Sequence, residues 1–181
     1  MASSDRTTVA SILDRARRFA LDIETRTSLI PLPKPDEQEQ RLELFDTLIT
    51  DGSLRQATRR LFRDGHYAQA VTEAYKVVNN TVKTRANTPD KDGTSMMMAV
   101  FERAKPILRI NAGKTQSDGD EQDGYKFIFA GAMLGIRNPR SHLHDVNDEA
   151  AVAIEMLVLA NHLMRVTERA VKPRRTGKRS A

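Results

Sequence analysis

The chain has 181 residues, a formal net charge of +5, 39% apolar residues and 29% charged residues. This composition is typical of a soluble globular protein and excludes a disordered one. Because the chain contains no cysteine, disulfides and thiolate metal sites are excluded as well. No run of about 18 apolar residues and no apolar signal segment is found, so we expect a cytoplasmic protein without a membrane span.

The charge is unevenly distributed along the chain. Residues 1–52 hold seven basic and ten acidic residues, and residues 53–170 hold seventeen and fourteen. Residues 171–181 hold five basic residues and no acidic one, so this tail accounts for the whole excess. A solvated, disordered end explains such a run, and a salt-sensitive contact with nucleic acid is the functional alternative.

The first 52 residues predict a helical extension. Apolar residues recur with helical spacing from Thr7 to Arg26. Three prolines between residues 31 and 35 interrupt the pattern, and Asp36 to Thr50 predicts a second helix with an acidic first turn. The extension could pack on the rest of the protein, extend a dimer or recruit a target.

Residues 53–170 predict a second domain, an all-α bundle of four to five main helices. Helical spacing of apolar residues predicts helices over residues 54–62, 66–85, 96–105, 125–136 and from 148 onward, with N-caps at Ser53, Thr94-Ser95 and Asn147. We expect Pro106 and Pro139 to end the helices before them. Ile107 to Ile110 could pair as a strand, and the polar residues 111–124 predict a surface loop.

Two segments imitate known binding loops. Gly113-Lys114-Thr115 suggests a phosphate-cradling loop, but Leu108 stands where such a loop needs its first glycine. The acidic residues 118–124 lack the alternating ligand positions of a calcium loop. His142 and His144 could share a metal with His162 or Asp145 as a third ligand, but the sequence singles out neither of these, so we expect neither a metal nor another cofactor.

Residues 137–142, Arg-Asn-Pro-Arg-Ser-His, are the strongest chemical signal in the chain. The guanidinium of Arg137 is always charged and suits a phosphate, and the imidazole of His142 can move a proton near neutral pH. Asn138 adds a polar side chain beside the cation. The structural alternative is that Arg137 meets the dipole of a helix C-terminus and that Pro139 stops this helix.

The same residues resemble a known superfamily. Arg137-Asn138-x-x-x-His142 is similar to the Arg-x4–6-His motif of HEPN domains. Residues 131–142 resemble the signature of the Ymh-type conserved hypothetical proteins, which are found in phage, plasmid and defence-island settings. The helix that begins near Gly65 is similar to the first long helix of many HEPN domains, and the resemblance covers roughly residues 53–169.

The resemblance implies a helical bundle that forms homodimers and, in active members, cleaves RNA without a metal. It implies that Arg137 and His142 are catalytic, with Asn138 in support. Glu73 is the candidate for an acidic residue that joins the site in some members, and His144 and Arg140 are further supporting candidates. It also implies a role in phage defence or as a toxin, with a partner protein of such a system.

The chemistry of RNA cleavage favours a dimer independently of the resemblance. One group must take the 2′-hydroxyl proton and another must protonate the leaving 5′-oxygen, whereas one motif supplies one well-placed imidazole. A two-fold interface would supply the second copy, with His144 as the rival within one subunit. The alternative function is a catalytically inactive helical module that binds nucleic acid or a partner protein.

Overall fold

The computed structural model describes residues 36–142 and 148–173, together with Asp14, Arg15, Arg17 and Arg18. The side chain of His142 is not among the described groups. The chain divides into two compact units, Met1–Asp36 and Glu37–Ala181.

The four described residues near the start of the first unit are helical, and Nε of Arg18 donates to the carbonyl of Asp14 at 3.4 Å. The remainder of the predicted first helix, the proline-containing connection, His144, the Asn147 cap and the tail from residue 174 lie outside the described residues. The predicted domain boundaries therefore stay predictions.

The described part of the second unit is helical, which confirms the all-α prediction. Its elements are α1 (Glu37–Leu48), α2 (Gly52–Arg63), α3 (Tyr67–Ala86), α4 (Gly93–Val100), α5 (Gln116–Gly131), a π-helical segment (Ala132–Arg137), α6 (Asn138–His142) and α7 (Ala150–Arg169). The strand expected over residues 107–110 is not formed among the described residues. The segment makes a single antiparallel bridge, in which Arg109 and Val171 exchange two backbone hydrogen bonds of 2.8 Å.

Helix α3 is the central element of the bundle. It packs against α2, α4, α6, α7 and the π-helical segment, and its apolar face is buried at Val71, Val78 and Val82. On the same face the hydroxyl of Tyr75 donates to the carbonyl of Met156 in α7 at 3.0 Å. Burial raises the pKa of Tyr75, because the phenolate would lose its hydration.

Helices α1 and α2 are joined by aromatic packing and an ion cluster. The ring centroids of Phe45 and Phe62 lie 5.0 Å apart in a stacked arrangement. Asp46 of α1 accepts two hydrogen bonds from Arg59, at 2.8 and 2.7 Å, and these hold the pKa of its carboxyl below the usual value. Helix α2 begins six residues after Asp46, and Asp51, not the predicted Ser53, is its N-cap, accepting from the amide of Leu54 at 2.8 Å.

Helices α4 and α5 also have boundaries that differ from the predictions. Helix α4 follows an N-cap at Asp92, not at Thr94-Ser95, and ends at Val100, well before Pro106. Helix α5 begins at Gln116, inside the predicted surface loop, because Thr115 and Asp118 form a capping box there. Gly119 lies within this helix, and the guanidinium of Arg103 lies directly over it, so a Cβ atom there would displace the Arg103 side chain.

Pro139 does not end the preceding helix, contrary to the prediction. A proline ring clashes with the carbonyl four residues earlier and offers no N–H group. The chain widens just before Pro139 into the π-helical segment, with the amide of Asn138 donating to the carbonyl of Met133. Wider i→i+5 turns of this kind occur frequently at functional sites. Helical backbone then continues to His142.

Helix α7 is long and apolar enough to cross a membrane by length and composition, alone among the helices in the described ranges. Half of its most apolar window is buried inside the protein, and Ala153, Leu157 and Leu163 belong to the core. It begins at Ala150 after Glu149, which makes no side-chain capping bond. The helix therefore forms one wall of the core, and cytoplasmic localisation stays a prediction.

Asn161 of α7 holds the connection between α1 and α2. Its buried Oδ1 accepts from the amides of Thr50 and Asp51 at 3.0 and 2.9 Å. We expect Asn161→Leu to leave both donors without an acceptor and to lower the free energy of unfolding by about 2–4 kcal/mol, measured by urea denaturation. Asn161→Asp keeps an acceptor and should cost less. Equal losses for the two variants would contradict this assignment.

Candidate functional site

Arg137 ends the π-helical segment with a weakly paired guanidinium. Its Nη1 lies 3.8 Å from Oδ2 of Asp92, and 21% of its side chain is exposed. Its Nε atom is buried and has no hydrogen-bond partner among the described residues. Such an unsatisfied charged donor is uncommon in folded proteins. The cation is therefore fixed in place but only partly neutralised.

The surroundings of Arg137 come from α3 and from the start of α4. Asn79 of α3 donates from its side-chain amide to Oδ1 of Asp92 at 2.5 Å, and it accepts from the amide of Gly93 at 3.0 Å. Gly93 has a φ of +56°, which favours glycine, and a Cβ atom there would lie 3.7 Å from Nη1 of Arg137. We call Asn79, Asp92, Gly93 and Arg137 the arginine corner.

Arg140 is fully engaged within the fold. Its Nε and Nη2 donate to the two carboxylate oxygens of Asp148, both at 2.6 Å, and its Nη1 donates to the carbonyl of Ile136 at 3.0 Å. Both side chains are nearly buried. This bidentate pair joins α6 to the residues that lead into α7, on either side of residues 143–147. Arg140 therefore has a structural contact, and its supporting role in chemistry stays a prediction.

The other predicted residues of the segment show a mixed picture. The side chain of Asn138 is half-buried and makes no hydrogen bond within the described ranges. The hydroxyl of Ser141 donates to the carbonyl of Arg137 at 2.9 Å and helps to close the turn. His142 ends α6, and its side chain lies outside the described groups, as does all of His144. Their predicted roles are not tested by the structure.

Glu73 is paired elsewhere. Its Oε1 lies 2.8 Å from Nζ of Lys76, one turn further along α3. No hydrogen bond or ion pair joins it to Arg137 in the part of the chain that the structure describes. Its proposed place in the site therefore stays a prediction without a supporting contact.

The Gly113-Lys114-Thr115 segment lines a cavity of about 300 Å³ that also includes Arg103 and Arg109. At the start of α5, the backbone amides that could bind an anion already bind a carboxylate of the chain itself, that of Asp118. The amides of Lys114 and Thr115 donate to Oδ2 of Asp118 at 2.7 and 3.1 Å, and these bonds lower the pKa of Asp118. The segment is therefore a helix cap, and its amides are not free for a nucleotide phosphate.

Across the described ranges, no group of three or more His, Asp and Glu side chains could hold a metal ion. The described residues form a helical bundle in which Arg137, at the end of the π-helical segment, has a long ion pair with Asp92, just before α4. Residues 50–167 match the family model Hypoth_ymh, described as a protein of unknown function. Because this match covers well over half of the chain, the chain belongs to the Hypoth_ymh family.

The family match confirms the resemblance to Ymh-type proteins that residues 131–142 carry. No curated protein and no solved structure matches the chain. Membership of the HEPN superfamily and the HEPN-like form of the bundle therefore stay predictions.

Sequence reasoning missed Asn79 and Asp92, although a signal for Asn79 exists. It lies on the apolar face of α3, between the buried residues Val78 and Val82, where a polar side chain needs a buried partner. Asp92 lies in the polar connection before α4 and looks like an ordinary helix cap. No local pattern connects the two residues.

The pair of Arg140 and Asp148 provides a stability test. Removing one partner leaves a nearly buried charge without its counter-ion, so we expect Arg140→Ala to lower the free energy of unfolding by about 3–5 kcal/mol in urea denaturation. The double variant Arg140→Met/Asp148→Leu should lose less than the single one. Arg63→Ala is the matched control, because its pair with Asp64 is exposed and should contribute below about 1 kcal/mol. A small loss for Arg140→Ala would refute the buried clamp.

Proposed function

We propose that this chain is a metal-independent endoribonuclease of the HEPN type that acts as a homodimer, in phage defence or as a toxin. The observation that carries the proposal is the state of Arg137. Its side chain is one-fifth exposed and, among the described residues, pairs with one carboxylate, that of Asp92, at 3.8 Å. It also lies five residues before His142 in a chain that belongs to the Hypoth_ymh family.

The proposed reaction follows from the two side chains. An imidazole of His142 takes the proton of the 2′-hydroxyl, and the 2′-oxygen attacks the adjacent phosphorus. The bond from phosphorus to the 5′-oxygen breaks, and a second imidazole gives its proton to that leaving oxygen. The guanidinium of Arg137 stabilises the negative charge that builds on the phosphate in between. The products are a 2′,3′-cyclic phosphate and a 5′-hydroxyl.

Labelled RNA incubated in EDTA tests this proposal. We expect cleavage, no cleavage of DNA of the same sequence, and a rate lowered at least about 100-fold by His142→Ala or by Arg137→Ala. His66→Ala is the matched histidine control, because His66 is exposed and makes no capping bond, and it should leave the rate unchanged. Cleavage that survives His142→Ala would disprove the assignment. RNA binding without turnover, undiminished by Arg137→Ala, would instead support the inactive binding module.

An exposed apolar stripe on α5 and the π-helical segment supports the homodimer. Phe127, Ile128 and Leu134 are 60%, 44% and 61% exposed on the outer face of α5 and the π-helical segment. Gly131 and Gly135 lie between and beside them, with nothing within 4 Å of where a Cβ would stand. Large apolar side chains and glycines therefore alternate along the stripe. Two copies of the stripe can pack against each other, with the large side chains of one protomer lying over the glycines of the other.

The position of the two-fold axis decides whether two motifs can form one site. With the axis near Gly135, each Arg137 lies two residues from it, about 3 Å along its helix. Because residues two apart point to opposite sides of a helix, a shared phosphate would have to lie at the edge of this interface, where both guanidinium groups can reach it. With the axis near Gly131, the two Arg137 residues lie about 18 Å apart along the helices. The proposed composite site therefore requires the first arrangement.

Single cysteines report this arrangement cleanly, because the chain has none of its own. Under oxidation we expect Gly135→Cys to give a disulfide-linked dimer and Gly131→Cys to give little. We expect Phe127→Glu/Leu134→Glu to give a monomer by light scattering and to abolish cleavage. Leu44→Glu, at an apolar residue 47% exposed on α1, is the control and should keep the dimer. Efficient crosslinking through Gly131 alone would rule out the composite site.

A further inference from the structure

Asn79 is a buried amide on an otherwise apolar helix face. It is 2% exposed, and Val78 and Val82 beside it are fully buried. Burying an amide in such surroundings is unfavourable unless it is hydrogen-bonded. Both ends of this amide are satisfied by the residues at the start of α4, since it donates to Asp92 and accepts from Gly93. α3 is thereby bonded to this corner of the chain.

The contact with Asn79 determines the direction of the Asp92 carboxylate. Oδ1 of Asp92 receives the hydrogen bond from Asn79, and Oδ2 lies toward Nη1 of Arg137. Gly93 has a left-handed backbone, and a Cβ atom there would lie 3.7 Å from the same guanidinium. One buried amide therefore positions two residues that lie near the guanidinium, Asp92 and Gly93.

The electrostatic balance at this corner is incomplete. The N-terminus of α4 carries a partial positive charge and Arg137 a full one, so both favour an anion. The Asp92 carboxylate supplies this negative charge, but 54% of its side chain is exposed and its distance to Arg137 is 3.8 Å. Exposed ion pairs of this length are weak. A phosphate, which a guanidinium can bind through two parallel hydrogen bonds, is a stronger partner.

We propose that Asp92 is an internal anion that occupies Arg137 until an RNA phosphate replaces it, and that Asn79 is the positioning residue that holds Asp92 there. This inference rests on the proposed function, because it makes Arg137 the phosphate-binding group. Asp92 thus lowers the affinity of the resting site for phosphate, and Asn79 keeps the guanidinium aligned for its arrival.

The direct test measures binding of inorganic phosphate through the NMR signal of the Arg137 Nε–H group. We expect Asp92→Asn, which removes the charge and preserves the shape, to lower the half-saturating phosphate concentration at least about threefold. Asp90→Asn is the matched control, since it removes an equal charge from the same connection at a residue with no contact to Arg137. Equal effects of the two substitutions would overturn the proposal, because only the overall charge would then matter.

A double-mutant cycle tests the role of Asn79. If Asn79 acts through Asp92, then Asn79→Leu changes phosphate binding in the wild-type chain and has no further effect in the Asp92→Asn chain. Additive effects would show that Asn79 only supports the fold. Should Asn79→Leu fail to fold, Asn79→Ser serves in the same cycle, and the comparison of Asp92→Asn with Asp90→Asn stands alone.

The outcomes separate this inference from the ribonuclease proposal. Tighter phosphate binding by Asp92→Asn without RNA cleavage by any variant would keep the role of Asp92 and refute the ribonuclease. Cleavage that depends on Arg137 and His142 would support the ribonuclease. If Asp92→Asn and Asp90→Asn then had the same phosphate binding and the same KM for RNA, the role of Asp92 would be refuted.

Discussion

The burial of α3 on several sides is the constraint on which the rest of the structure depends. In the described part of the chain five other elements pack on this helix, among them α4 and the π-helical segment, whose residues take part in the arginine corner. Tyr75 fixes α7, Asn79 fixes the start of α4, and the π-helical segment that ends in Arg137 lies against the same helix. Because these contacts come from one rigid helix, the relative positions of Arg137 and Asp92 follow from core packing.

The proline at residue 139 shapes the site in a second way. An ordinary α-helix would clash with its ring, and a helix that stopped there would leave Arg137 on an irregular connection. The wider turn before Pro139 avoids the clash and leaves Arg137 on helical backbone. Carbonyl groups near this turn find side-chain donors, with Arg140 bonding to Ile136 and Ser141 bonding to Arg137. The local sequence therefore supplies both the distortion and the groups that satisfy it.

The sequence predicted the helices well where apolar residues recur with helical spacing, as in α3 and α7. It failed at boundaries that depend on distant contacts. The start of α5 is polar and contains Gly119, so its sequence looks like a loop. The residue that lies over Gly119 is Arg103, sixteen positions earlier, and this contact leaves no pattern in the local sequence. In the candidate site, Arg137 was recognisable from its motif. Asn79 and Asp92 were not, because a hydrogen bond between residues thirteen positions apart leaves no local pattern.

The order of the elements along the chain has a consequence for folding. Asn161 of α7 bonds to Thr50 and Asp51, more than one hundred residues earlier, and Tyr75 of α3 also takes its partner from α7. Contacts of such separation slow folding, because a long loop must close before they form. During synthesis the part of α3 that packs on α7 thus stays uncovered until α7 has been made. The residues of the arginine corner, between positions 79 and 137, are therefore all synthesised before the helix that completes the packing around α3.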